Sequence, residues 1–302
     1  MLAALAPLTG SAAGGGDALA VKGPAGWEQW WRADRAPARW DAPLPAVAGA
    51  VRWRGLAPGA EWGELSLSGS GEAWRVRVVL TRIDPASFRL TTQETRRTDG
   101  RPGPWSIDSA PAQAVVALNA GQFTSRGPWG WVVRDGVELR PPGSGPLAPA
   151  LVVDGDGEVR LIPAEEIAAA RASGRVREAF QSYPALLAGE GEIPPPLREA
   201  GRGVDLDHRD ARLALCLLRD GRLLVALTRF EALGGALSTL PFGLTTPETA
   251  ALMGALGCRR SMLLDGGISS QLRLREPDGT VHRWRGIRRV PLALLALPAG
   301  RE

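Results

Sequence analysis

Histidine and cysteine are both scarce in this chain: His208, His282, Cys216 and Cys258 are the only ones in 302 residues. A zinc centre of the common His/Cys kind therefore has too few ligands, and a Ser-His-Asp hydrolase triad has few bases to draw on. Each cysteine sits inside an apolar stretch, so we read the pair as two small buried hydrophobes rather than as a disulfide. Lysine is scarcer still, Lys22 being the only one among 36 basic side chains. The arginines are interleaved with 32 acidic residues instead of forming a block. The formal charge of +4 and pI near 9.9 thus reflect an Ala-, Gly- and Arg-rich composition and do not call for a nucleic-acid partner. No apolar run reaches the roughly 20 residues that cross a bilayer as a helix, so no transmembrane segment is expected. No acidic cluster has the spacing of a calcium loop, and no cofactor is implied beyond a divalent cation that Asp265 could attract.

An apolar content of 44% is ample for a packed core. The opening "MLAALAPLTGSAAGGG" has the apolar stretch and small residues of a secretory signal without its positive start. Export to the periplasm or beyond is the expectation, and an Ala/Gly leader on a cytoplasmic protein is the alternative. Residues 1–45 read as this leader plus a tryptophan-rich arm, "GWEQWWRADRAPARW", whose rings call for burial. Residues 46–298 read as one domain.

Within that domain, "AWRVRVVLTRI" alternates Trp74, Val76, Val78 and Leu80 with Arg75 and Arg77, the period of a half-buried strand. Asp-Gly pairs then punctuate apolar runs in "WVVRDGVEL", "LVVDGDGEVRLI", "LALCLLRDGRLLVAL" and "LREPDGTVHRW". Asp-Gly supplies the positive φ angles of tight hairpins, so each predicts an antiparallel pair. Two helices interrupt them. One spans 163–174, from Pro163 to Gly174; the other spans 244–258, with Thr245 and Glu248 at capping-box spacing, Pro247 in the first turn and Gly257 at the end. The fold class is α+β, sheet-rich, with antiparallel hairpins and a few inserted helices. Residues 186–203, rich in Gly and Pro, read as a surface loop or lid.

Four clusters bear chemistry. "LLDGGISSQL" sets Asp265 at the end of an apolar strand, followed by Gly266 and Gly267, whose N–H groups a ligand can approach, and by the hydroxyls of Ser269 and Ser270. On spacing alone it is equally a strand-turn corner. "VVALNAGQF" ends a buried strand on Asn119, an amide that must either brace the fold or face a polar ligand. "AFQSYP" and the strand-opening Arg212 complete the set, an arginine being suited to bidentate contact with phosphate.

Taken in order, "ALNAGQF", "QSYPALLAGE", "ARLALCLLRDGRLLVAL", "GLTTPETAALMGALGC" and "LLDGGISSQL" resemble the phosphodiester glycosidase family. The likeness begins near "WRGLAPGAEW" and runs to about residue 295. It implies hydrolysis of a glycosyl phosphodiester, of the N-acetylglucosamine-1-phosphodiester type, in cell-envelope or extracellular glycans. Its motifs fall on Asn119 to Gly121, on Gln181 and Ser182, on Arg212, and on Asp265 to Ser270. Catalytic parts are thereby expected of Asp265, Asn119 and Arg212, and substrate contacts of Gly121, Gln181, Ser182, Gly266, Gly267, Ser269 and Ser270. Two positions depart from the family pattern. Tyr183 stands where a glycine is usual and adds bulk beside the pocket. Ile268 stands where a third glycine is usual, which makes a left-handed conformation there costly.

A phosphate leaves readily, so charge stabilisation by Arg212 and backbone N–H groups would suffice on that side. A carboxylate, read here as Asp265, would support the sugar cation and the attacking water. A second carboxylate is open among Glu94, Asp205, Asp207 and Asp210. The alternatives are a non-catalytic glycan- or phosphoglycan-binding module on the same fold, favoured if Ile268 closes the pocket, and a structural envelope or spore-surface protein.

Overall fold

The computed structural model describes residues 17–95, 103–231 and 242–299; the expected secretory stretch falls on residues 1–16, outside them. Among the described residues, nine strands form one antiparallel sheet and two five-stranded antiparallel sheets accompany it, with few and short helices.

Val76–Ile83 shows how the large sheet is built. It pairs along its whole length with Ala60–Gly69 on one side and Leu223–Phe230 on the other. Val76, Val78 and Leu80 join one core while Val79 and Ile83 join a second on the opposite face. The alternation breaks at Val79 because the strand is central and covered on both faces. Trp74 lies before the strand and is 49% exposed.

All four Asp-Gly hairpins are present, joining Val132–Arg134 to Val137–Arg140, Ala150–Asp154 to Val159–Ile162, Leu213–Leu218 to Leu223–Phe230, and Leu272–Arg275 to Val281–Trp284. In the first, Asp135 and Gly136 take φ of 52° and 79°, the two positive angles of a type I′ turn. One small sheet is centred on Val176–Gln181, the other on Val116–Asn119 flanked by Leu272–Arg275 and Leu292–Pro298.

The Thr246–Ala255 helix begins with the expected capping box, Thr245 accepting from the Glu248 N–H and Glu248 accepting from the Thr245 N–H. It is buried around almost its whole circumference, as its Ala, Leu and Met content requires. Gly254 admits the Trp40 ring, since a Cβ there would stand 2.2 Å from Trp40 Cδ1. The other helix splits into a 3₁₀ turn, Ala164–Glu166, and a short α-helix, Ile167–Ala172, ended by Gly174.

The tryptophan-rich arm is part of the large sheet. Ala18–Gly23 pairs with both Gly26–Arg32 and Ala60–Gly69, and Leu19, Val21, Trp31 and Trp40 enter the first core.

Two expectations are corrected. Cys216 and Cys258 form a disulfide, with Cα atoms 5.8 Å apart. Their strands are antiparallel neighbours whose register shifts between Leu217 and Leu218, pairing Leu218 with Cys258. Apolar flanks look the same for a buried thiol and a buried disulfide, and register is a non-local property. Residues 186–203 are not a free lid either: Ala185–Leu187 is the edge strand of the large sheet, and Leu186, Leu187, Ile193 and Leu197 are buried in the first core.

Candidate active site

Asp265 follows the Cys258–Leu263 strand, and its loop is pinned on every side. The Asp265 N–H donates to Gly121 O at 3.0 Å, the Leu264 N–H to Leu213 O at 2.8 Å and the Gly267 N–H to Ala211 O at 2.7 Å. Asn119 closes the circle: its Nδ2 donates to Asp265 O and its Oδ1 accepts from the Gln271 N–H, each at 2.9 Å. A carboxylate carried on so many fixed points keeps its position without help from a ligand.

The glycines are required by close approach. Gly267 has φ of +57°, and a Cβ there would lie 2.6 Å from Asp210 Oδ2. At Gly266 a Cβ would meet Ala211 O at 2.8 Å, and at Gly121, with φ of +65°, Gln181 O at 3.0 Å. Gly267→Ala is accordingly expected to displace the Asp210 carboxylate and to cost about 1–3 kcal/mol; urea unfolding together with a turnover assay would register both losses. Ile268 needs no left-handed angle, because the strained position is Gly267 and the chain continues as a 3₁₀ turn, Gly267–Ser269. Its side chain is 40% exposed and is not among those lining the cleft below.

That cleft, of about 300 Å³, is walled by Gln122, Tyr183, Asp205, His208, Asp210, Arg212 and Asp265, among others. Its second wall is the 205–212 segment, fixed to the Thr246–Ala255 helix. Asp210 and Leu244 exchange backbone hydrogen bonds, and Arg209 grips the buried Glu248 with two, at 2.6 and 3.0 Å. Arg212 donates from Nε to Leu244 O and from Nη2 to His208 O, while its N–H donates to Thr228 Oγ1. Tyr183 fills the family's glycine position with a ring whose hydroxyl donates to Gly203 O at 3.2 Å; its carbonyl accepts from Gln122 Nε2 at 3.0 Å.

Two carboxyls of this cleft are held above the ordinary range. Burial raises Asp265, opposed by the Ser269 hydroxyl and Arg288 and reinforced by the negative charge of Asp210. Burial also raises Asp210, opposed first by Arg212. Among the described residues Asp265 Oδ2 is buried without a hydrogen-bond partner, as is Ser270 Oγ, and orphaned polar atoms of this kind call for an account. Burial lowers Arg212 and brings Arg229 down to about 10. Such a water-poor wall strengthens every charge interaction with whatever enters.

Of the expected contacts, Asp265, Arg212 and Gly266 line the cleft. Asn119 does not: both functions of its amide are spent on the loop backbone. Gln181 is likewise consumed, accepting from the Trp131 and Gly143 N–H groups and donating to the Gly143 and Ala148 carbonyls. Ser182 donates to Leu263 O. These three brace the site, because buried polar groups at strand ends are claimed first by unpaired backbone. Gly121 lends its carbonyl to the Asp265 N–H, and Ser269 and Ser270 are buried beneath the loop.

Among the four candidate second carboxylates, Asp205 and Asp210 line the cleft, and Asp207 and Glu94 do not. Asp205 caps its own turn, accepting from the Asp207 and His208 N–H groups, which hold its carboxyl below the ordinary range. Of the two that line the cleft, Asp210 is the one that burial holds above the ordinary range. Arg229 escaped the sequence reading. It is a buried guanidinium that donates to Ser270 O and to Arg285 O, and its signal was a lone arginine in "LLVALTRF", the same signal that marked Arg212.

Asp265 has no three-ligand metal cluster around it among the described residues. Among the described residues the one acidic trio that could gather round an ion, Asp154, Asp156 and Glu158, lies on another sheet. Arg160 already sits 2.8 Å from Asp154, and Arg175 3.1 Å from Asp156.

A family model described as phosphodiester glycosidase matches residues 112–296, more than half of the chain. Three solved structures are similar in fold. The catalytic domain of zebrafish N-acetylglucosamine-1-phosphodiester alpha-N-acetylglucosaminidase, auto-inhibited by its pro-peptide, is 16% identical with a TM-score of 0.59, over 86% of this chain and 87% of that one. A hypothetical protein from Synechocystis is 14% identical with a TM-score of 0.53, over 90% of this chain and 65% of that one. A protein of Burkholderia pseudomallei K96243 described as exported is 15% identical with a TM-score of 0.52, over 78% and 77%. No curated protein sequence matches the chain.

Proposed function

Because the chain belongs to the phosphodiester glycosidase family, we propose that it hydrolyses a glycosyl phosphodiester between the anomeric carbon and the phosphate oxygen, in an oxidising compartment outside the cytoplasm. The observation that carries this reading is Asp265, a fixed carboxyl with one buried, unpartnered oxygen, in a cleft shared with Arg212 and Asp210.

In the proposed reaction a water oxygen bonds to the anomeric carbon as the bond from that carbon to the phosphate oxygen breaks. The electron pair leaves with the phosphate, and one water proton passes to a carboxylate. The products are free sugar and a phosphomonoester. Asp265 is the group we assign to the cationic carbon and the incoming water. A carboxyl raised by burial and by a like charge is a stronger base than one in solution, which suits proton acceptance. Arg212 uses Nε and Nη2 on carbonyls, so its Nη1 is the donor available for the departing phosphate. Asp210 is assigned the second place: its charge raises Asp265. The binding-module alternative gains if Ile268 closes the pocket, and the exposed position of Ile268 outside the cleft lining favours the hydrolase. The disulfide and the likeness to an exported protein support export.

Release of free sugar from UDP-N-acetylglucosamine and a panel of sugar-1-phosphate diesters tests the reading. Turnover is expected to fall on the acid side through a limb above the ordinary carboxylate value, as Asp265 takes up its proton. Removing the Asp210 charge relieves a like-charge repulsion, so Asp210→Asn should move that limb to lower pH. Saturable binding of the panel with no hydrolysis of any member would overturn the proposal.

A further inference from the structure

The large sheet carries a second feature on the face that bears the second core. Side chains alternate across a strand. Val79 and Ile83 of Val76–Ile83 are covered by that core, whereas Arg77, on the same face, has a side chain 42% exposed. Leu65, Leu67, Leu19 and Val21 all point into the first core, which leaves Glu64, Ser66 and Lys22 on the same outer face as Arg77. At this end the sheet is bare, and its surface forms the floor of a groove of about 730 Å³.

The groove is cationic. Lys22, Arg52, Arg54, Arg75 and Arg77 line it, against the carboxylates of Glu64 and Glu231. Arg77 takes both carboxylates, reaching Glu64 at 3.7 Å and holding Glu231 in a direct contact. Lys22, Arg52, Arg54 and Arg75 are then left without an ion pair among the described residues. Two exposed indoles flank them. Trp27, 52% exposed, stands directly opposite Lys22 across the Ala18–Gly23 and Gly26–Arg32 pair. Trp74, 49% exposed, carries the Arg75 guanidinium 5.7 Å from its ring centre. Exposed indoles beside unpaired cations match a ligand with both phosphates and apolar ring faces.

The groove ends beside the buried support of the Asp265 loop. Arg77 is the cross-strand partner of Arg229, whose Nη2 donates to Ser270 O in the Asp265 loop. From Lys22 to Arg77 is two strand steps, about 10 Å, and Arg229 is one step further, about 5 Å.

We propose that this groove binds an anionic glycan, a polymer of sugars joined by phosphodiesters. Binding by the groove is independent of catalysis; that such a glycan is also the substrate rests on the hydrolase reading. The four unpaired cations hold phosphates, and Trp27 and Trp74 stack on sugar faces.

The test is binding of the full chain to phosphorylated dextran, with neutral dextran and a single-stranded oligothymidylate as comparisons. The variants are Arg52→Glu with Arg75→Glu together, and Trp27→Ala alone. These side chains lie on the surface and outside the Asp265 cleft, so turnover of a small sugar-1-phosphate diester should be unchanged in both. Phosphorylated dextran is expected to bind the wild type in preference to the other two, and to weaken at least about tenfold on charge reversal and severalfold in Trp27→Ala. Equal affinity in the charge-reversed variant, or tighter binding of the oligonucleotide than of phosphorylated dextran, would overturn the proposal. If no small diester is hydrolysed while phosphorylated dextran still binds and loses affinity on charge reversal, the groove stands and the hydrolase reading alone fails.

Discussion

Asp265→Asn should abolish turnover and make the protein more stable. The substitution keeps size and shape, but the amide can neither accept a proton from water nor carry the charge that supports a cationic sugar. A loss of about 10³-fold or more in kcat is expected. The stability effect has the opposite sign to most core changes. Burial raises the Asp265 carboxyl above its ordinary value of 3.8, so the folded state favours the protonated form. The stability this contributes is complete below that ordinary value and is lost as pH rises through the raised folded value. At neutral pH the ionised side chain is therefore a burden on the fold, with one oxygen buried and without a hydrogen-bond partner among the described residues. An asparagine removes the charge, and a gain of about 1 kcal/mol would raise Tm by roughly 2–4 °C. The two mutant effects are read by sugar release and by a thermal melt at pH 7, repeated near pH 4, where the difference should shrink. An Asp265→Asn protein that turns over at the wild-type rate would remove Asp265 from the chemistry; one that melts lower would show that its carboxylate is a structural ligand instead.

The disulfide should account for the largest single contribution to stability. Cys216 and Cys258 are 42 residues apart in sequence, and both are wholly buried in the first core. Closing a loop of that length removes about 4 kcal/mol of conformational freedom from the unfolded chain. The double change Cys216→Ala with Cys258→Ala should lower the urea midpoint by a corresponding amount and Tm by about 10 °C. Loss of the two sulfur atoms from a packed core adds to the effect. Because the bond is buried, reductant should act on the folded wild type only as fast as it unfolds, and should have no effect on the alanine pair. Wild type and alanine pair with the same midpoint under oxidising conditions would mean that the linkage contributes nothing. Protein made in a reducing cytosol is expected to resemble the variant.

Local features of this molecule were legible without coordinates. The Asp-Gly turns, the Thr245 and Glu248 capping box, the stops at Gly174 and Gly257 and the buried run ending at Asn119 all depend on a few neighbouring residues, because φ preferences and cap hydrogen bonds act over one turn. The catalytic-looking loop was marked in the same way, by a carboxylate and glycines after an apolar strand. Pairing between distant strands decided the rest. Register joined Cys216 to Cys258 and set the tryptophan arm into the large sheet, and a second core on the far face made Val79 as buried as Val78. Polar side chains were reassigned for the same reason. Asn119, Gln181 and Ser182 are spent on backbone groups that come from elsewhere in the chain, while Asp210 was singled out from three other acids only when folding placed it against Gly267 and Arg212. A sequence fixes which groups are present and how each short stretch turns; which of them face one another, and which remain free to meet a substrate, is settled by contacts between residues far apart along the chain.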